Sequence, residues 1–599
     1  MSRRIAIVGA GQSGALLALA LRRDGYDVTL ATDRTAAEIR TGPVLSSQCM
    51  FSSALAVESD LGLDHWSGEI PTIERMAITV SEDAIDRGTG DDRGTGDSAN
   101  CIDPANSTTS FVGRLDSPAA SVDQRLKCAR WIDDFVALDG RIRLGEVGTV
   151  DLQELTATHD LTIVASGKGA LSEVFEIDRS RTIHDAPQRI STMAYVTGMS
   201  SDPSAELTMT SVAGVGECLT MPALSTSGTC QIILIEAVPG GPLDPRGALN
   251  SPELDSPGQR LEYIRAALTG HFPDIARRAG DIALTDMNAT LHGAVVPRVR
   301  HPVATLCNGR HVLGMADVVV LNDPVTGQGS NNAVHSAHVY HQAITSHGDR
   351  PFDSAWMRRT FEKYWRGWGQ WSVSWTNSML AGIPDHVETV FAEATQWPTV
   401  ADAVVRGFDD PRTVSDWWFA PAQAQRLLDT ARREAKSVHN RRELRRALGH
   451  YATGVTVITA RSPDGRKIGL TANSFTSVSL DPPLVSFCPA RNAPSLVDLS
   501  AAGRFAVNIL AADQHDLSRQ FATPAEDKFA GVEHTEGIDG TPLLDRVVAQ
   551  FQCRTVQRVD AGDHVIFLGE VEEFSAPGGE PLVFHSGSYR LVATHPDHA

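Results

Sequence analysis

The chain has 599 residues, of which 42% are hydrophobic and 21% charged, and a formal net charge of −20. That length exceeds a single hydrophobic core and predicts roughly two to four domains of ~150 residues. The acidic balance argues against nucleic acid as the main partner and against an anionic membrane surface.

Eight cysteines are scattered with no CxxC pair and no zinc-type Cys/His spacing. Neither a structural metal nor a disulfide framework is expected, and a reducing, cytoplasmic setting is. No apolar run reaches the ~18 residues of a membrane span. The opening MSRRIAIVGAG holds an apolar run too short for a secretory signal.

Residues 3–8 (RRIAIV) read as a buried strand, 12–23 (QSGALLALALRR) as a helix and 27–32 (DVTLAT) as a second strand. This order begins a doubly wound α/β sheet. Between the first two elements Gly9, Gly11 and Gly14 form G-x-G-x-x-G. The three glycines serve a tight turn, close approach to a pyrophosphate, and helix–strand packing. The helix start at Gln12 and Ser13 offers free N–H groups to phosphate. Asp33, just past the second strand, is the candidate ribose ligand.

Residues 81–110 are polar and glycine-rich, with DRGTGD at 86–91 repeated at 92–97. They read as a solvated loop, since the acids lack EF-hand spacing. DLTIVASGK (160–168) reads as a buried strand entering a small-residue turn. Short apolar runs broken by Gly, Pro and Ser at 206–238 predict a β-meander over a binding cavity.

Residues 311–333 read as a strand, then Asp317, then a second glycine-rich loop entering a helix. That loop contains Pro324, Gly327, Gln328, Gly329, Ser330 and Asn331. His335, His338 and His341 spread over ~120° of that helix and read as a solvated face, not a metal site. Residues 352–430 look helical and tryptophan-rich. The basic stretch 421–448 reads as a helical linker between domains at 1–420 and 449–599.

In the last domain YATGVTVITA (451–460) reads as a strand and SPDGRK (462–467) as an Asp-Gly hairpin turn. GLTANSFTSVSLDPPLVSFC (469–488) supplies more strands of a small barrel. Thr471, Ala472, Asn473, Ser474 and Ser477 are small donors suited to a flavin edge and its phosphate. Arg491 and Ser495 precede an expected helix at 495–502.

Four stretches, GAGQSG (9–14), ASGKGALSEVFE (165–176), DPVTGQGSNNA (323–333) and SWTNSML (374–380), resemble the oxygenase component of styrene monooxygenases. The likeness covers roughly residues 3–420. It implies an FAD-binding, glutathione-reductase-type (Rossmann-like) fold with a β-sheet substrate subdomain. By it Gly9, Gly11, Gly14, Asp317, Pro324, Gly327, Gln328 and Gly329 contact FAD. It also implies that reduced FAD and O2 form a C4a-hydroperoxide that oxidises an aromatic alkene such as styrene, or indole.

ATGVTVIT, LTANSFTSVSLDPPLV, GRFAVNIL and SGSY resemble HpaC-like flavin reductases over about 440–599. That likeness implies a split β-barrel, usually a homodimer, that uses NAD(P)H to reduce free flavin, with NADH and FAD the expected pair and FMN the alternative acceptor. It implies that Thr471, Asn473, Ser474, Ser477 and Ser495 touch flavin, with His564, His585 and Tyr589 near flavin or nicotinamide. The two halves together imply a self-sufficient fused styrene/indole monooxygenase.

One stretch departs from the pattern. TGPVLSSQCMF (41–51) has Val44 and Ser47 where styrene epoxidases place Arg and Asn on the flavin side. This favours the alternative of an NADH:FAD oxidoreductase that serves a separate epoxidase component.

Overall fold

The computed structural model describes residues 3–46, 48–81, 101–103, 108–246, 254–525, 527–593, 595 and 597. Ser47 and the DRGTGD repeat lie outside them. The chain divides into two compact units, Met1–Arg433 and Glu434–Ala599.

In the first unit the apolar run Arg4–Val8 pairs in parallel with Asp27–Thr32 on one side and Leu161–Val164 on the other. The full sheet runs Val303–Thr305, His311–Gly314, Leu161–Val164, Arg4–Val8, Asp27–Thr32, Arg141–Leu144. Only its first strand is antiparallel to its neighbour. The helix Gln12–Arg23 is buried from Gln12 through Leu21. That is why its sequence shows no polar face until the closing arginines.

The expected meander appears as Leu207–Val212, Gly216–Ser225 and Gly228–Ala237. It belongs to a nine-stranded sheet that also holds Ile190–Thr197, Thr72–Ser81 and Thr108–Ala120. The period of two sorts its residues. Met193, Tyr195, Leu219, Met221, Ile232 and Leu234 pack with Val387, Phe391, Val404, Phe408 and Trp418 from the helices of 385–418. Ala194, Val196, Cys218, Ile233 and Ile235 pack on the other face against Leu261, Ile264 and Leu268.

Two expectations need correction. A single helix spans Pro421–Gly449, but Ala424, Leu428 and Ala431 are buried in the first unit's core. Its first turns are therefore packed structure, not a solvated linker. His335 is not on a solvated face either. Its ring packs against Trp368, tilted by 32° with ring centroids 3.6 Å apart, and its Nε2 lies 3.3 Å from the Ser53 hydroxyl.

In the second unit seven antiparallel strands run Lys467–Ala472, Thr456–Arg461, Arg504–Ile509, Ala549–Ala561, His564–Ser575, Pro483–Phe487, Thr476–Leu480. The Asp-Gly hairpin joins the first two, with Gly465 at φ 88°. Among the described residues no helix is long and apolar enough to cross a membrane, and no group of three or more His, Cys, Asp or Glu could hold a metal.

Candidate flavin sites and an apolar cavity

The first candidate site lies at the carboxyl ends of the parallel strands, where open α/β sheets bind ligands. Gly9 has φ 110°, and a Cβ there would overlap the Ala165 carbonyl. A Cβ on Gly14 would overlap the Gly9 carbonyl oxygen, whereas one on Gly11 would meet nothing within 4 Å. Gly11 is exposed. Two glycines thus serve internal packing, and the third leaves open space beside the helix start. That open cradle fits a dinucleotide pyrophosphate.

Asp33 follows the second strand with its side chain 60% exposed and lies 3.6 Å from Arg34. The side chain of Gln12 turns inward instead. It lies 3.3 Å from Met50 Sδ and donates to Glu58 Oε1 at 3.3 Å. Ser13 is likewise buried, so both offer a ligand their backbone. Asp317 follows Ala316, which sits at φ 53°, a strained backbone for a non-glycine residue. Burial pushes the Asp317 carboxyl up to about 6, partly offset by Lys168.

The second loop forms a short turn at Pro324–Thr326, Gly327 at φ 64° and a helix from Gly329 to Thr345. Pro324, Gly327, Gly329 and Ser330 are half-buried at its rim. Gln328 and Asn331 are not at the rim. Gln328 donates to the Phe408 carbonyl at 2.9 Å. Asn331 donates to the Cys49 carbonyl at 2.9 Å and accepts from the Phe51 N–H at 3.0 Å. Their side chains brace the loop. Val44 is buried, and its N–H donates to the Asn288 carbonyl at 3.1 Å.

Beside this loop a cavity is lined by Val325, Trp375, Phe391, Val404, Phe408 and Trp418, among others. Its polar wall is sparse. The Trp375 indole N–H is buried without a partner, and Glu217 and Ser211 stand on the lining. The aromatic and aliphatic walls suit an apolar ring. Of the closely spaced Trp356, Trp365, Trp368, Trp371 and Trp375, the first, third and last are core, and Trp375 alone of these five lines the cavity. Sequence reading missed Glu217 and Glu236. Their signal was a lone acid inside an apolar strand, as in QIILIEAV (231–238).

In the second unit the structure gathers the predicted residues into two sets. Thr471 donates to the Ser518 carbonyl at 2.7 Å and Tyr589 to the Ser518 hydroxyl at 2.9 Å. Ser518 is buried and was not foreseen. Ala472 is buried, and its carbonyl accepts from Thr456 at 2.7 Å. Asn473 and Ser477 are exposed.

In the other set Ser474 accepts from the Cys488 N–H at 2.9 Å. Arg491 donates to the Gly562 carbonyl at 2.7 Å and pairs with Asp560 at 2.9 Å. His564 bridges Ala490 and contacts Asp563 at 2.8 Å. His585 joins neither of these contacts: it lies on the strand paired with that of Tyr589, half-buried, with its ring 6.2 Å from that of His450. The helix after Ser495 spans only Leu496–Ala502, and Ser495 makes no side-chain cap bond.

Comparison with known proteins separates the same two regions. Residues 448–593 match the family described as "Flavin reductase like domain", and residues 167–278 match "Styrene monooxygenase A putative substrate binding domain". A "Probable flavin reductase" of Rhizobium meliloti (strain 1021) is 47% identical over 152 residues, covering 25% of this chain and 49% of that protein. The chain thus spans about half the length of that relative. A "Flavin reductase" of Pseudomonas putida is 41% identical over 146 residues, covering 24% of this chain and 86% of that one. "Styrene monooxygenase StyA" of Pseudomonas fluorescens is 29% identical over 429 residues, covering 70% of this chain and 96% of that one. Residues 448–593 therefore belong to the flavin reductase-like family, joined in one chain to a region similar to styrene monooxygenase StyA.

Proposed function

We propose that this chain is a self-sufficient flavin monooxygenase. Its second unit oxidises NADH and reduces FAD. Its first unit binds the reduced FAD and uses O2 to epoxidise a styrene-like alkene or oxidise indole. The observation that carries this reading is the aromatic cavity beside the Pro324–Gly327 turn, in the same unit as a loop whose Gly11 leaves room for a pyrophosphate.

FAD in the first unit would be held at Gly9, Gly11, Gly14, Asp317 and the rim of the second loop. The flavin supplies oxygen activation when bound. The protein holds the ring edge against the cavity and keeps water out of it, which limits loss of oxygen as peroxide. In the second unit the protein aligns nicotinamide with flavin, and proximity does most of the work. Thr471, Asn473, Ser474, Ser477, Arg491 and Tyr589 are the proposed contacts there.

The parallel sheet order supports a glutathione-reductase-type fold, and the seven-stranded antiparallel sheet supports a split barrel. Exposed Leu480, Val497 and Phe574 support association of the second unit into a homodimer. The net charge and the lack of a spanning helix among the described residues support a cytoplasmic setting.

The test is to reduce FAD chemically without oxygen, add the protein, and then admit air and styrene with no NADH present. Styrene oxide is the expected product. Peroxide alone would favour the oxidoreductase reading, to which Val44 also points.

A further inference from the structure

Glu217 and Glu236 are direct partners across the strands Gly216–Ser225 and Gly228–Ala237. Both lie on the cavity face, since Leu219, Met221, Ile232 and Leu234 of the same alternation pack there. Directly opposed residues place their Cβ atoms about 5 Å apart. Glu217 has its counter-charge, because Arg189 donates to its two oxygens at 2.6 and 2.8 Å. Glu236 has none. It is fully buried, and neither carboxyl oxygen has a partner.

Asp323 is also fully buried, at the head of the Pro324–Thr326 turn. Its Oδ1 accepts from the Val325 N–H at 3.2 Å, but its Oδ2 has no partner. Among the described residues Asp323, Glu217 and Arg189 are the charged groups that act on Glu236. Three carboxyls therefore share one guanidinium. An unpaired buried carboxylate is costly. A proton removes one charge and supplies the missing hydrogen-bond donor.

We propose that Glu236 and Glu217, with Arg189 beside them, form a carboxyl pair that stores one exchangeable proton at Glu236 and passes it to Glu217 on the cavity wall. In that transfer the O–H bond breaks at Glu236 and forms at the carboxylate of its cross-strand partner Glu217. No electron moves, and solvent returns the proton. Burial and the two neighbouring carboxylates keep the Glu236 proton on well above the usual range, and Asp323 is pushed up to about 6. Glu217 itself stands on the cavity lining. The proton's use in oxygen transfer rests on the monooxygenase reading.

The test compares the full-length protein with its Glu236→Gln variant. All 10 tryptophans fall between residues 66 and 418, so their fluorescence reports unfolding of the first unit alone. The folded-state affinity of Glu236 for its proton exceeds the unfolded value of 4.5. Its stabilising effect is complete below that pH and is lost as pH rises. Glutamine has no such loss. The midpoint of the variant should therefore gain on wild type steadily as pH rises from 4.5 through neutrality. A gap that does not change with pH overturns the proposal.

Infrared spectra give a second readout should the variant fail to fold. Wild type at neutral pH should show a protonated carboxyl band that shifts in D2O, and its absence overturns the stored proton. In a folded variant, NADH:FAD reduction should stay unchanged while oxygenated product per NADH falls severalfold. Unchanged product overturns delivery to the cavity wall. A wild-type protein that shows the band yet yields no product contradicts the monooxygenase reading, not the buried proton.

Discussion

A Cβ on Gly14 would overlap the carbonyl oxygen of Gly9, so these two residues hold the first helix against its strand with no space left over. Gly11, between them, has open space where its side chain would be. Gly14→Ala should destabilise the first unit by about 1–3 kcal/mol through overpacking. Gly11→Ala should leave the unfolding midpoint near wild type and weaken FAD binding tenfold or more, about 1.4 kcal/mol. Calorimetric titration of FAD alongside thermal unfolding checks both. Normal FAD affinity in Gly11→Ala would contradict the pyrophosphate cradle.

Tyr589 and Thr471 meet on Ser518. Tyr589→Phe removes one hydrogen bond, worth about 0.5–1.5 kcal/mol. It should lower NADH oxidation with free flavin severalfold and leave FAD binding by the first unit unchanged. Steady-state NADH oxidation with a parallel FAD titration decides this. An unaltered rate would remove Tyr589 from the reductase site.

The elements that could be read from sequence were those whose causes are local. The glycine fingerprint and the Asp-Gly turn at 464–465 each need only their own backbone. The strand–helix–strand opening fell where the pattern placed it. The inward turn of Gln328 and Asn331 was not legible, because it depends on the Phe408 and Cys49 carbonyls, 80 and 282 residues away. The opposition of Glu217 and Glu236 depends on strand register, which no motif records. Ser518 was missed for the same reason, as its partners come from separate strands.

His335 is held neutral. Burial, reinforced by the charges of His338 and Arg412, depresses it from 6.5 to about 3. A depressed histidine stabilises the fold above its unfolded value. That stability is lost as pH falls from 6.5 towards 3, at about 1.4 kcal/mol per pH unit across the window. His335→Phe keeps a ring against Trp368 and should flatten the acid side of the stability curve. Tryptophan fluorescence against pH measures it. An unchanged slope would show that His335 does not titrate this way.

Val404 lines the cavity and is buried. Val404→Phe should fill part of the space and cut epoxide formation at least tenfold, with NADH oxidation unaffected. Product analysis by chromatography reads the first quantity and absorbance the second. Full epoxidation in the variant would place the substrate elsewhere.

The most direct measurement is the ratio of oxygenated product to NADH consumed by the purified chain supplied with NADH, FAD, air and styrene. A self-sufficient monooxygenase should yield substantial styrene oxide with no added oxygenase or reductase. NADH oxidation that ends wholly in hydrogen peroxide, with no epoxide, would contradict that function.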